Sequence, residues 1–500
     1  MDVKKGKLNI IVSIAFQTIT MILSILVKRT LISICGNEVN GLNALFISII
    51  GFLAVAELGV GHAITFSMYK PIVEGDNDKV AALFHLFQNM YLLIGMIIFF
   101  AGLVVTPFLP FLAKDYISLD ENIYLTFVLV LLSVTATYLF NAKTSLINAY
   151  KNNYITTAIT QGGIVLQYVL QITVLHITRS FVGYLICRII AVFTQWLVTE
   201  VTSRKKYAEI ITNKAKLDRE TKVIVRKNIK AMFIHKIGYA LVNTLDSVVI
   251  SAFVGVAALG EYSNYTMILS SMTAVIALVF TSLTSVVGHL YAGEDKKVAQ
   301  NYCECFHLLN FVIGTVFFLG YYATIDQLVA LLFSPELTVS KHISFVITLN
   351  GFIRFMRQSI LTFKDASGTF YQDRWKPLFE GILNICLSIL LVKLVGVSGV
   401  LIATITTNLL ICHLVEPYVL YKHAFGISPR RFFVKNYCMI FLFGVTLILL
   451  DNCLQDASNL FAQLLINGVI SVVLSSVACG VVLLANRKQG KLLIAVVKGG

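Results

Sequence analysis

Apolar runs long enough to cross a bilayer recur along almost the whole of this 500-residue chain. The hydrocarbon core of a membrane is about 30 Å thick, and a run of about 20 apolar residues in a helix spans it. Inside that core every backbone polar group must be satisfied internally, so long apolar runs must fold as helices. The runs place fourteen helices at about 8–34, 42–68, 83–106, 121–142, 154–177, 181–202, 228–254, 260–289, 303–333, 343–366, 377–394, 397–421, 433–451 and 461–485. Composition agrees. Hydrophobic residues make up 57% and charged residues 13% of the chain, against about 25% charged in a soluble domain. The expected fold class is an all-α polytopic membrane protein, and the expected environment is a lipid bilayer.

The net charge of +14 is read as orientation in the membrane, and no nucleic-acid partner is expected. With the N-terminus inside, only Lys114, Arg179, Lys341 and Lys393 fall on external connections. Seven more cations (Lys28, Arg29, Arg188, Lys236, Arg354, Arg357 and Lys364) lie within spans, and the rest are cytoplasmic. Reversing the chain would put nearly all of them outside, so the excess of Lys and Arg on cytoplasmic loops decides the topology, with both termini cytoplasmic. Lys4, Lys5 and Lys7 precede an apolar stretch with no small-residue cleavage site after it, which reads as an uncleaved first span. The nine cysteines lie mostly in apolar runs, with no zinc or redox spacing.

The chain repeats itself. Gly36 and Gly41 precede Gly255 and Gly260 by 219 residues, each pair following one span and opening the next. Gly75 with Lys79-Val80 and Gly293 with Lys297-Val298 stand 218 residues apart in two short acidic-basic cytoplasmic loops. Six spans separate the copies, so both have the same orientation, as in a parallel repeat about an axis along the membrane normal. The expected organisation is an N-lobe at 1–202 with helices 1–6, a basic cytoplasmic linker at 203–227, and a C-lobe at 228–424 with helices 7–12. Two further helices and a tail occupy 425–500. Two such lobes imply a central cavity and an alternating-access cycle.

No phosphate loop of the GxxxxGK[ST] type and no HExxH motif occurs. External connections are short, so a transporter is favoured over a membrane enzyme, and neither cofactor nor metal is expected. Coupling to a proton or sodium gradient stays open.

Charges inside a membrane are costly, by about 2.5–3.5 kcal/mol for a cation at a helix centre on insertion scales, and need a cavity or a partner. The tenth span concentrates them. Asn350, Arg354, Arg357, Gln358, Lys364 and Asp365 fall within an arc of about 120° on a helical projection. Such a cationic ladder suits an anionic headgroup, because guanidinium pairs with phosphate oxygens in fork geometry. An internally neutralised stripe, with Lys364 paired to Asp365 or an arginine paired to a carboxylate on a neighbouring helix, is the alternative. Lys28 and Arg29 lie toward the outer end of the first span, where snorkelling is an equal account. Asp246 falls at nearly the repeat-equivalent position, so a Lys28–Asp246 pair across the cavity is a candidate. Glu57 is a candidate coupling carboxylate or partner for these cations.

Several segments resemble the Wzx-type polysaccharide flippases. These are Ala56-Glu-Leu-Gly-Val-Gly-His-Ala-Ile64 with Tyr69-Lys-Pro71, Leu245-Asp-Ser-Val-Val-Ile-Ser251, and Gly260-Glu-Tyr-Ser-Asn-Tyr265. Ala366-Ser-Gly-Thr-Phe370 with Asp373-Arg374, Pro377 and Asn384, and Gly396-Val-Ser-Gly-Val400, complete the likeness. The resemblance implies the multidrug/oligosaccharidyl-lipid/polysaccharide exporter fold, with two six-helix lobes and two extra helices in a bacterial plasma membrane. It implies a substrate, an oligosaccharide on undecaprenyl diphosphate moved from the cytoplasmic to the outer leaflet for surface polysaccharide synthesis. A polysaccharide polymerase and glycosyltransferases are the implied partners. The rival readings are a drug or cation antiporter of the same superfamily, a lipid II flippase of the MurJ type, a membrane glycan polymerase and a non-transporting scaffold.

Overall fold

The computed structural model describes residues 3–57, 60–217, 244–293, 296–369, 372–457, 459–487 and 489–490, and no strand occurs among them. The helices used below are α1 (Val3–Cys35), α2 (Asn37–Leu53), α3 (Val60–Glu74), α4 (Asn77–Val105), α5 (Ile123–Thr135), α6 (Asn141–Ala149), α7 (Asn153–Thr178) and α8 (Phe181–Thr212). They are followed by α9 (Thr244–Phe253) and α10 (Val256–Gly293). Then come α11 (Lys296–Leu332), α12 (Lys341–Met356), α13 (Gln358–Ser367), α14 (Lys376–Val395), α15 (Val397–Thr407), α16 (His413–Val419), α17 (Arg430–Cys453) and α18 (Leu460–Ala485).

Among the described residues, 10 helical stretches are long and apolar enough to cross a membrane, and they coincide with ten of the fourteen expected spans. The other four differ for separate reasons. The expected second span is divided by a 3₁₀ turn at Ala54–Glu57, with Leu58 and Gly59 outside the described residues. The expected tenth span is divided at Arg357. Most of the seventh span lies outside the described residues, leaving α9 as its end, and the eighth lies within α10. The first part of the expected basic linker is helical, because α8 runs on to Thr212 past a non-helical Tyr207. Residues 218–227 of that linker, Phe370 of the resemblance and the tail from 491 lie outside the described residues.

The helices carry the inverted pattern that lipid demands. On α14, Glu380, Asn384 and Ser388 recur every four residues and are 4%, 1% and 1% exposed, whereas Phe379, Leu390 and Leu394 are 67%, 59% and 72% exposed. A four-residue period puts the polar groups on one helix face. In water that face would turn outward; here it is the inner one, and Asn384 Nδ2 donates to Thr404 Oγ1 on α15 at 2.9 Å. With no hydrophobic drive between helices in lipid, such polar contacts and close packing hold helices together.

The chain forms two compact units, Met1–Gly260 and Glu261–Gly500. The division falls after Gly260, where the start of α10 packs on the start of α2. A Cβ on Gly41 would lie 1.8 Å from Val256 O, and one on Gly260 would lie 2.5 Å from Asn37 O. Asn37 Nδ2 donates to Ala257 O at 2.9 Å and Asn40 Nδ2 to Gly260 O at 3.2 Å. Only glycine permits backbones this close.

The repeat reappears in the coordinates. Asn37 opens α2 and Val256 opens α10, 219 residues later; Asn77 opens α4 and Lys296 opens α11, again 219 later. The glycines before α2 and α10, Gly36 (φ 90°) and Gly255 (φ 141°), both hold positive φ. In the first unit Gly95 lies under the Tyr138 ring; in the second, Gly314 lies under Phe355. Within the second unit the core is aromatic, with Phe352 stacked on Phe443 at 3.6 Å between ring centroids.

Candidate functional site

The tenth span is interrupted where its charge is greatest. α12 ends at Met356, α13 begins at Gln358, and Arg357 stands between them with its amide donating to Arg354 O at 3.3 Å. No proline or glycine causes the break. The side chain reaches α16, where Nε donates to Glu416 Oε2 at 3.0 Å and Nη2 to Glu416 Oε1 at 2.6 Å. Its Nη1 donates to Asn408 Oδ1 at 2.6 Å and lies 3.9 Å from Glu380 Oε1. Lys376, at the start of α14 where Pro377 fixes the first turn, donates to Glu416 Oε1 at 2.5 Å and pairs with Glu380 Oε2 at 3.1 Å. The four charged side chains are 15%, 6%, 5% and 2% exposed in the order Arg357, Lys376, Glu380, Glu416.

Two cations and two carboxylates make this cluster neutral, which is what allows it to be buried. An unpaired ion there would cost several kcal/mol of desolvation. His413, one turn before Glu416, is held by Ile353 O at 3.0 Å and by Asn436 Nδ2 at 3.0 Å. α16 itself is flanked by π-helical turns at Asn408–Cys412 and Leu420–Phe425 and contains Pro417. Such turns tend to mark functional positions.

Lys364 forms a buried ion pair with Asp373. Asp365, the partner offered for it by the sequence, is exposed on α13. Arg357 and Lys364 of the cationic ladder are thus each held by carboxylates of the same chain, the arrangement of the internally neutralised alternative. Arg354 and Gln358 are half-buried, and Asn350 is buried with its Oδ1 lacking a hydrogen-bond partner.

In the first unit, Lys28 is half-buried and Arg29 exposed on α1, while Asp246 is buried on α9. Lys28 and Asp246 were expected in opposite lobes; both belong to the Met1–Gly260 unit. Glu57 closes the 3₁₀ turn that follows α2 and accepts a 2.5 Å hydrogen bond from Tyr138 Oη. Tyr138 also lies in a 3₁₀ turn, Ala136–Leu139, that interrupts the fourth span. The fourth and tenth spans thus both break at a functional-group contact.

Three residues of the buried cluster escaped the sequence reading: Lys376, Glu380 and Glu416. Lys376 was assigned to a cytoplasmic loop. Glu380 and Glu416 stand inside the apolar runs 377–394 and 397–421, and a tally of intramembrane acids beside the bases would have exposed both. Chemically, the cluster offers a guanidinium fork and an ammonium converging on one oxyanion. Among the described residues there is no group of three or more His, Cys, Asp or Glu side chains arranged for a metal.

No protein-family model matches this sequence, and no curated protein matches it. Solved structures do match the fold. A lipid II flippase, MurJ, in its inward closed conformation shares 14% identity, covering 95% of this chain and 99% of that one, with a TM-score of 0.67. A multidrug resistance MATE family transporter of the MOP superfamily, facing inward, shares 13% identity over 87% of this chain and 98% of its own, with a TM-score of 0.59. A MOP superfamily transporter from Pyrococcus furiosus, described as having a binding pocket of reversed polarity, shares 12% identity over 85% of this chain and 97% of that one, at a TM-score of 0.52. This chain has the polytopic helical fold of these transporters.

Proposed function

We propose that this protein is a flippase that carries an oligosaccharide on undecaprenyl diphosphate from the cytoplasmic to the outer leaflet of a bacterial plasma membrane, for surface polysaccharide synthesis. The observation that carries this reading is the charge of α1. Its bilayer-length stretch Ala15–Cys35 contains Lys28 and Arg29 and no Asp or Glu. Cations on a membrane-spanning helix suit a diphosphate headgroup and repel a cationic drug. The likeness in fold to a lipid II flippase supports a lipid-linked substrate, and the Wzx-type segments favour an oligosaccharide repeat unit over lipid II. Flipping breaks no covalent bond, so the reading requires no nucleophile. A proton or sodium gradient, the membrane potential or downstream polymerisation supplies the drive, and a polymerase and glycosyltransferases are the expected partners.

The carboxylates within the spans argue against the drug-antiporter reading. Glu380 and Glu416 are engaged by Arg357 and Lys376, and Glu57 accepts the Tyr138 hydroxyl.

The test is a depletion strain in which lipid-linked oligosaccharide is quantified by leaflet alongside surface polymer. Glycan-loaded undecaprenyl diphosphate accumulating on the cytoplasmic face, with loss of surface polymer, is the expected result. Unpolymerised intermediate on the outer face would identify a polymerase instead. Accumulated lipid II would point to the peptidoglycan precursor, and no change in any lipid pool would leave drug efflux as the activity to assay.

A further inference from the structure

The Glu416 carboxylate is held as a phosphate would be held. It accepts two guanidinium bonds from Arg357, at 2.6 and 3.0 Å, and a 2.5 Å bond from the Lys376 ammonium. A guanidinium fork beside an ammonium is the donor set that grips an oxyanion, whether carboxylate or phosphate. The helix that supplies the carboxylate is built differently from those that supply the cations. α16 is seven residues long, contains Pro417 and is bounded on each side by a π turn. A π turn holds one surplus residue, and taking it up or releasing it rotates the segment beyond by about 100° at 3.6 residues per turn. Glu416 therefore rides on a segment able to turn while the span stays helical. Arg357 also has partners outside α16: Glu380 on α14 lies 3.9 Å away, and Asn408, at the α15 end of the first π turn, accepts from Nη1 at 2.6 Å. Lys376 is likewise kept in place by Glu380 at 3.1 Å. Withdrawing Glu416 alone leaves two cations facing one carboxylate, an excess of positive charge that a buried site must neutralise.

We propose that Arg357 and Lys376 form a phosphate seat that Glu416 occupies in this structure, and that the diphosphate of the lipid-linked substrate takes the seat when Glu416 withdraws. Glu380 and Asn408 are positioning residues that keep the two cations aimed at the seat. The ligand's identity rests on the flippase reading above; the seat itself rests on the geometry of the second unit alone.

The experiment measures binding of inorganic pyrophosphate and of farnesyl diphosphate to the full purified chain in detergent, by calorimetry. Glu416→Gln keeps the shape of the side chain and removes the competing charge. Both ligands are expected to bind at least tenfold more tightly to it than to the wild type, and adding Arg357→Gln or Lys376→Gln is expected to abolish the gain. If Glu416→Gln does not fold, Glu416→Asp replaces it, since the shorter side chain weakens its hold on the fork and the same direction of change is expected. An unchanged affinity in the folded variant overturns the proposal, as does a gain that survives loss of Arg357. A gain for inorganic pyrophosphate alone assigns the seat to a soluble anion and also overturns it. A gain for both ligands in a protein whose depletion leaves every lipid-linked pool unchanged keeps the seat and removes the oligosaccharide reading. A depletion strain that behaves as a flippase mutant, beside a Glu416→Gln chain without any gain, does the reverse.

Discussion

Arg357 and Glu416 show how one residue's cost sets another's identity. The two side chains are 15% and 2% exposed, and removing one member of a buried ion pair strands the other charge, at a typical cost of about 3–5 kcal/mol. Arg357→Ala and Glu416→Ala are each expected to destabilise the protein by about that much, read as thermal unfolding in detergent. The double variant Arg357→Ala with Glu416→Ala is expected to cost clearly less than the two single losses together; strictly additive losses would mean that the pair is not coupled. A milder prediction belongs to Tyr138, whose hydroxyl donates to Glu57. Tyr138→Phe is expected to cost about 1.5–3 kcal/mol, the range for a hydrogen bond to a charged group, and an unchanged unfolding midpoint would refute it. At this scale the sequence was half legible. Arg357 and Lys364 stand out as cations in an apolar run, but their partners lie 59 residues away at Glu416 and across a turn at Asp373. Such pairings are tertiary facts that helical periodicity does not encode.

Helices and their junctions were far more readable. The 219-residue offset between glycines found in the sequence is the offset between the first residues of α2 and α10, and between those of α4 and α11. Long apolar runs mark spans because the bilayer sets their length. The interruption at Arg357 left no such mark, since it arises without proline or glycine from contacts that α12 and α13 make with other helices. The hairpin between α14 and α15 supplies a prediction at this scale. A Cβ at Gly399 would lie 2.2 Å from Leu391 O, a backbone atom that cannot step aside. Gly399→Val is expected to lower the yield of folded protein sharply, measured by size-exclusion profile. Gly444→Val, where a Cβ meets nothing within 4 Å, is expected to leave it unchanged.

For the molecule as a whole, the distribution of Lys and Arg is the sequence's statement about sidedness. That distribution predicts both termini on the cytoplasmic side, and with them an outward-facing Cys453, which is exposed at the end of α17. A chain retaining only that cysteine is expected to react with an impermeant maleimide on intact cells. One carrying only Arg430→Cys, at the opposite end of the same helix, is expected to react only after permeabilisation, and the opposite result would invert the topology. The meeting of α2 with α10 has a consequence for substitution as well. Asn37 faces Gly260 and Gly41 faces Val256, and positions 37 and 41 correspond to 256 and 260 across the repeat. The contact is therefore reciprocal: position 37 touches the counterpart of 41, and position 41 touches the counterpart of 37. These four positions answer to each other, so a bulky change at any one of them has to be matched across the contact.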